Sequence, residues 1–390
     1  MNTRLSFRNL WSHPFTRAYL LATVAQRIAA GWYSTTYVLF LRSYGLSFAV
    51  INLINMVFMF VWLILNPKAG RIADQYGQKR VYLWGLGIFS FGTLVYGLSH
   101  NVAGFLLAET FSGIGNALMA DALESWLRNV SSKKQSDYTI SVGGAVNTLA
   151  IIPTSLLGSA IGSLFGLSWP WLLSALTGGL AVLYSWHVLH RLPEKDLRFT
   201  GEHRDPPSVW EVIKLTWQVK PLRFSGVIAL AIGAATAPFN MLWAPILQEV
   251  SGSTWWFGSL WIGIAVFSAF GSWWARHKKQ DGLAAMLLIT GLPMCLPIFI
   301  PTTAGVVIPF LIHEIGRGAF RPLLFNFSNV HIESHYRTTA NSIRGSIWTL
   351  GMVIGLCSSA LLSLIISPLA IWLVAGIGLV LASVYAKKGE

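Results

Sequence analysis

The sequence predicts an all-α integral membrane protein of twelve transmembrane helices in two six-helix halves, with both termini in the cytoplasm. Three observations carry that expectation. The 390 residues are 54% hydrophobic and only 11% charged, too little charge to cover a soluble surface of that size. Mainly apolar windows of about 20 residues, the length that crosses a bilayer, recur along the whole chain. Every second loop between them is basic, whereas the alternate loops lack Lys and Arg, and this bias sets orientation in a membrane. The apolar runs are long and continuous rather than alternating, so helices are expected and a membrane β-barrel is not.

In chain order the spans are expected at roughly 17–42, 47–66, 81–98, 102–126, 138–164, 168–190, 222–247, 255–275, 282–300, 304–328, 337–365 and 367–386. The first follows Arg4, Arg8 and Arg17 and mimics a signal peptide. It contains Gln26 and Arg27 and outlasts such a peptide's apolar core, so it reads as a retained span. The basic loops are the N-terminus, 67–80, 127–137, 191–223, 276–281, the loop holding Arg337, and the tail with Lys387 and Lys388. Arg42 stands at the edge of one of the uncharged loops.

The longest hydrophilic stretch, 191–221, separates an N-terminal half (1–190) from a C-terminal half (222–390) and is expected to be a cytoplasmic central loop. Within it, 208–219 is either a short amphipathic helix anchored by Trp210 and Trp217 or an unstructured linker. The halves echo one another. LLAETFSGIGNA (106–117) in span 4 compares with LIHEIGRGAFRP (311–322) in span 10, an acid followed by glycines and a polar residue. The basic loop after span 2 is answered after span 8 by GSWWARHKKQDG (271–282). Repeated half-domains suit a transporter with alternating access.

A net charge of +13 does not point to nucleic acid, because the basic residues sit in short loops without a continuous basic helix or aromatic platform. Cys295 and Cys357 lie in apolar segments and read as free, buried thiols. The sequence has no His-Glu-x-x-His motif, no phosphate-cradling Gly-x-x-x-x-Gly-Lys-Ser/Thr and no histidines at metal-ligand spacing. A membrane metalloenzyme and an ATP-driven pump are therefore not expected, and no cofactor is expected.

The sharpest motif is GRIADQYGQKR (70–80), between spans 2 and 3. It resembles the signature loop of the major facilitator superfamily: Gly70, Asp74, Gly77, Lys79 and Arg80 match, and Gln78 stands where a basic residue is usual. Glycines permit a tight turn and close approach of helices, and a carboxylate suits the N-terminus of a neighbouring helix. The resemblance implies that helices 1, 4, 7 and 10 line a central cavity. It also implies that Asp74 meets the start of helix 11, near Arg337, and holds the cytoplasmic side shut.

A second stretch, GIGNALMADALESWLRN (113–129), is similar to the fourth helix of bacterial facilitators. Glu124, Ser125, Trp126 and Leu127 match in kind, whereas Asn129 replaces the usual acid. Drug-exporting members commonly carry a basic residue and a Gln-Gly pair near the start of this helix; here Glu109 and Ser112-Gly113 stand in those places. Span 5 offers Pro153, Gly158 and Gly162 instead of the export signature, and these read as packing residues.

Away from span ends, strong charges are confined to three spans: Arg27 in span 1, Glu109, Asp121 and Glu124 in span 4, and Glu314, Arg317 and Arg321 in span 10. Charges in a bilayer core face water or a partner, and helical rise places Arg27, Glu109 and Glu314 near mid-membrane. Glu109, Asn116 and Glu124 share one side of a continuous span 4. Glu109 and Glu314 are the proton-coupling candidates, and Arg27, Asn116, Asn240, Trp243, Arg317 and Arg321 are the substrate-cavity candidates. Gly70, Arg71, Asp74, Gly77, Lys79, Arg80, Asp121 and Glu124 are the candidates for a cytoplasmic gate. Arg27 with Glu109, and Glu314 with Arg317, are alternatively fixed ion pairs that only position helices. Trp243 is alternatively a packing or interface residue.

The expected function is secondary active transport of a small organic molecule by alternating access, with proton-coupled export of an amphipathic compound placed first. Uptake or exchange of an organic anion (a sugar acid, phosphate ester or carboxylate), lipid translocation, and a non-transporting receptor stay open. The expected partners are the substrate, protons and the lipid bilayer, with no nucleic acid. A monomer in a bacterial inner membrane follows from the resemblance.

Overall fold

The computed structural model describes residues 11–193, 210, 214, 217, 218, 220–278, 282–331 and 337–389, with the side chains of 325, 326, 328–343 and 389 outside that description. Among the described residues the chain is helical and has no strand. The helices are α1 (Pro14–Gly31), α2 (Tyr37–Ser43), α3 (Phe48–Tyr76), α4 (Gln78–Leu98), α5 (Val102–Met119), α6 (Ala122–Val130), α7 (Lys133–Phe165) and α8 (Ser168–Leu189). They continue with α9 (Lys220–Ser251), α10 (Leu260–His277), α11 (Leu283–Cys295), α12 (Thr303–His331), α13 (Arg337–Leu362) and α14 (Pro368–Gly389). Nine helices among the described residues are long and apolar enough to cross a membrane, α5 and α6 counting together as one. α1 and α12 are absent from those nine because of their polar and charged residues, and α11 because it has only 13 residues.

Three expected spans change on inspection. Span 1 is not continuous: the helix opens at Trp32–Thr36. There Ser34 Oγ donates to the Gly31 carbonyl at 2.7 Å, and Ser34 and Thr36 amides reach back three residues instead of four, so side chain and backbone compete with the helical ladder. The opened stretch rests on α7. Ser34 meets Ser155 at 2.8 Å and Thr35 meets Ser159 at 2.7 Å. A Cβ on Gly158 would lie 1.9 Å from the Trp32 carbonyl oxygen, so only glycine fits there. Span 4 turns after Met119, between α5 and α6, so Glu124 does not continue the face of Glu109 and Asn116. Span 9 stops at Cys295, where Pro293, Pro297 and Pro301 follow in close succession.

The chain divides into two compact units. Unit 1 comprises 1–40, 60–206 and 255–259; unit 2 comprises 41–59, 207–254 and 260–390. α3 contributes its first part, to Met59, to unit 2 and its remainder to unit 1. The core of unit 1 holds Tyr19, Tyr82, Leu86, Leu123, Trp126 and Leu189, all nearly or wholly buried. In unit 2, α9 lies so close to α13 that a Cβ on Gly355 would sit 2.2 Å from the Ala234 carbonyl oxygen. Beside that contact Met56, Met59, Met241 and Met352 pack around Ala237 and Leu356. The interfacial segment expected at 208–219 lies outside the described residues apart from isolated positions, among them Trp210 and Trp217, which are exposed.

Candidate functional site

Both mid-span glutamates are buried, Glu109 at 3% and Glu314 at 2% exposure. Their settings differ. In unit 1, α5 carries Glu109 toward α2 and α4, whose Tyr37 and Tyr96 hydroxyls donate to Oε1 at 2.6 and 2.8 Å. The two phenols also touch one another at 3.3 Å. Tyr96 stacks on Trp171 of α8 (4.2 Å between ring centres, 13°), and Tyr33 stacks on Trp171 as well (4.1 Å, 10°). Phe105 and Phe40 pack against Tyr96. The carboxylate is thus hydrogen-bonded by phenols within a closely packed aromatic cluster. Arg27 is exposed on α1, and Asn116 is half-buried on α5.

In unit 2, Glu314 Oε1 pairs with Arg317 Nη1 at 2.7 Å, one turn along α12. Arg317 also donates to Asn240 Oδ1 on α9 at 3.1 Å, and Ser268 of α10 donates to Glu314 Oε2 at 3.3 Å. Three helices therefore converge on one ion pair. The acid side chain is 3% exposed and the guanidinium side chain 34% exposed. Arg321 is exposed one turn further along α12, and Arg344 of α13 donates to the Leu324 carbonyl at 3.2 Å. Trp243 packs on Phe310. His313, fully buried, bonds the Thr290 carbonyl through Nδ1 at 2.8 Å and stacks on Phe239 at 3.9 Å.

Tyr37, Tyr96 and Ser268 bond the two candidate acids, and His313 precedes Glu314, yet motif spacing singles out none of them. Only His313 carries a sequence signal, as a polar residue inside an apolar span. Its partner is a backbone carbonyl, and no patterning marks that.

At the basic-loop end, Gly77 adopts φ +95° between α3 and α4, a conformation that favours glycine. Gly70, Arg71, Arg80 and Asp121 are exposed, whereas Asp74 and Glu124 are half-buried. Lys79 is 8% exposed, and its ammonium donates to the Leu189 and Leu192 carbonyls at the end of α8. Glu124 lies in the first turn of α6, where a carboxylate is favoured. The side chains at the start of α13, the expected partner of Asp74, lie outside the described residues. Cys295 and Cys357 are free thiols but not buried as expected, Cys295 being half-buried and Cys357 exposed, and among the described residues no cluster of His, Cys, Asp and Glu is arranged to hold a metal.

The family model of the Major Facilitator Superfamily matches residues 19–356. The chain belongs to that family. That family is one of multi-pass membrane transporters rather than enzymes. Among relatives, it is 21% identical over 238 residues to the uncharacterized MFS-type transporter Rv1250 of Mycobacterium tuberculosis, covering 60% of this chain and 36% of that protein. It is 26% identical over 151 residues to Multidrug resistance protein 2 of Bacillus subtilis, covering 38% of this chain and 37% of that protein. These matches span well under half of those relatives. Quinolone resistance protein NorA of Staphylococcus aureus is 22% identical over 328 residues, 81% of each chain.

Among solved structures, a bacterial homologue of the human lysosomal transporter Spinster aligns with a TM-score of 0.74 at 15% identity, over 96% of both chains. The nucleoside transporter NupG aligns with a TM-score of 0.75 at 12% identity, over 96% of this chain and 98% of that one. At such identities the likeness is one of fold.

Proposed function

We propose that this protein is a secondary active transporter that exports a small amphipathic organic molecule by alternating access, coupled to protons through Glu109 and Glu314. The observation that carries the reading is that each half of the internal echo buries one mid-span glutamate to 3% exposure or less. A carboxyl group so placed exchanges a proton only when its surroundings open to water or ligand, which is what coupling requires. The similarity to Quinolone resistance protein NorA and Multidrug resistance protein 2 supports the reading, since removing a compound from the cell is one route to resistance. In this reading the chain spans a bacterial inner membrane twelve times as a monomer with both termini cytoplasmic. The loop at 70–80, with Asp121 and Glu124, gates the cytoplasmic side.

Uptake or exchange of an organic anion is a second reading, favoured by the one-third-exposed Arg317 with Arg321 beside it. One experiment separates the two. Purified protein in proteoliposomes is offered a panel of amphipathic cations, neutral aromatics and organic anions, with the pH gradient imposed or collapsed. The export reading expects gradient-dependent movement of an amphipathic compound that Glu109→Gln or Glu314→Gln abolishes. Movement of anions alone, abolished by Arg317→Met, would transfer the assignment to the second reading. Indifference to the gradient would remove the coupling claim.

A further inference from the structure

Two departures from the family's sequence pattern, 51 residues apart in the chain, meet in space. Gln78 stands where the signature loop usually has a cation, and Asn129 stands where the fourth helix usually has an acid. Asn129 Nδ2 donates to Gln78 Oε1 at 3.0 Å, and Gln78 is 5% exposed. Neighbouring bonds tie down the same corner. Lys79 donates to the Leu189 and Leu192 carbonyls, where the negative pole of α8 favours a cation. Trp126, fully buried and three residues before Asn129, donates its indole N–H to the Pro193 carbonyl at 3.1 Å. The ends of α4, α6 and α8 are thereby joined through carbonyls and one amide pair.

The two departures make physical sense only together. A cation at position 78 would stand beside the already buried Lys79, two like charges with little water between them. Without that cation, an acid at position 129 would be a partly buried carboxylate lacking its partner. Replacing both by amides keeps the contact and removes the cost of burying the charges.

We propose that Gln78 and Asn129 form a charge-neutral clasp that positions the signature loop against α6 and α8, so that neither protonation nor ionic strength loosens it. The charged groups on the segments packed at this corner are Arg17 and Arg27 on α1, Arg71, Asp74 and Arg80 in the loop, Asp121 just before α6 with Glu124 and Arg128 on it, Lys133, Lys134 and Asp137 on α7, and His187 on α8 with His190 and Arg191 just past its end. None supplies the Gln78–Asn129 bond, and Arg128 pairs with Asp137 at 2.6 Å. The Gln78–Asn129 bond itself therefore has no pH response.

The test is hydrogen–deuterium exchange on the full chain in nanodiscs of a zwitterionic lipid. It needs no substrate, so its failure would leave the transport reading untouched. Protection of residues 78–82 and 189–193 is expected to be the same in low and high potassium chloride. After correction for intrinsic exchange chemistry, it is also expected to be the same in mildly acid and mildly alkaline buffer. Asn129→Leu, or the gentler Asn129→Ser, should lower protection about tenfold in those two segments, the loss implied by an unsatisfied buried amide, while α12 is unchanged. The double variant Gln78→Lys with Asn129→Asp should recover protection in low salt and lose it several-fold in high salt. Wild-type protection that falls with salt or pH overturns the proposal, as does Asn129→Ser behaving like wild type. A loss spread evenly over both units would overturn it too.

Discussion

Units 1 and 2 hold corresponding glutamates by opposite means. Glu109 accepts from two phenols packed under a stack of rings, whereas Glu314 is bound by a guanidinium that is itself one-third exposed. A phenol O–H donates to a carboxylate and, more weakly, to the carbonyl oxygen of a protonated acid, so both phenols can keep their partner whether or not Glu109 carries a proton. A guanidinium depends on the charge of its partner. Protonate Glu314, or bring in a competing anion, and Arg317 keeps only its bond to Asn240. The comparison teaches that a buried acid alone does not define a coupling site. In this reading unit 1 holds a proton with little rearrangement, and unit 2 converts a change of charge into movement of a side chain.

The largest effect is expected in the aromatic stack. Trp171, 2% exposed between Tyr33 and Tyr96, is the wall of the Glu109 setting, and Trp171→Ala should cost about 3–5 kcal/mol. Thermal unfolding in detergent checks it. A melting temperature equal to wild type would show that the rings do not brace the phenols, and the contrast between the units would lose its first half.

Next comes the ion pair. Arg317→Met leaves Glu314 buried without its cation, and the expected cost is about 3 kcal/mol, the low end for a broken buried pair because the arginine is partly exposed. The double variant Glu314→Gln with Arg317→Met should regain most of it. Glu109→Gln should cost under about 1 kcal/mol, since the amide oxygen still accepts from both phenols. The same unfolding series orders the four variants. Equal losses for Arg317→Met and Glu109→Gln would show that the two settings are energetically alike.

How much of this was legible in the sequence depended on whether the signal is local. Basic loops, apolar windows and the glycines and charges of 70–80 are short-range patterns, and they place the family and the mid-span acids. The Glu314–Arg317 pair is likewise local, three residues apart on one helix face. Tyr37 lies 72 residues from Glu109, and no periodicity distinguishes it from any other tyrosine in an apolar run. The opening of span 1 escaped for a related reason. Ser34 and Thr36 are tolerated in a helix until their hydroxyls turn back on the preceding turn, and the small residues that receive the opened segment, Ser155, Gly158 and Ser159, sit more than 120 positions away. The Gln78–Asn129 pair was visible only as two unrelated departures until the fold joined them.

Two hydroxyl deletions, the second with the smallest expected effect of all, test whether the hydroxyls matter by number or by kind. Tyr96→Phe keeps the ring in its stack and removes one donor to Glu109, for an expected loss of about 1–2 kcal/mol, because the bond is short and its acceptor is buried. Ser268→Ala removes a longer bond, 3.3 Å, from an acid that Arg317 already holds, and should cost no more than about 0.5 kcal/mol. If Glu109 is the coupling acid, Tyr96→Phe should also shift the pH at which transport is half-maximal, whereas Ser268→Ala should leave it in place. A shift produced by Ser268→Ala alone would reverse the roles, making the unit 2 acid the one whose hydroxyl partner tunes its proton.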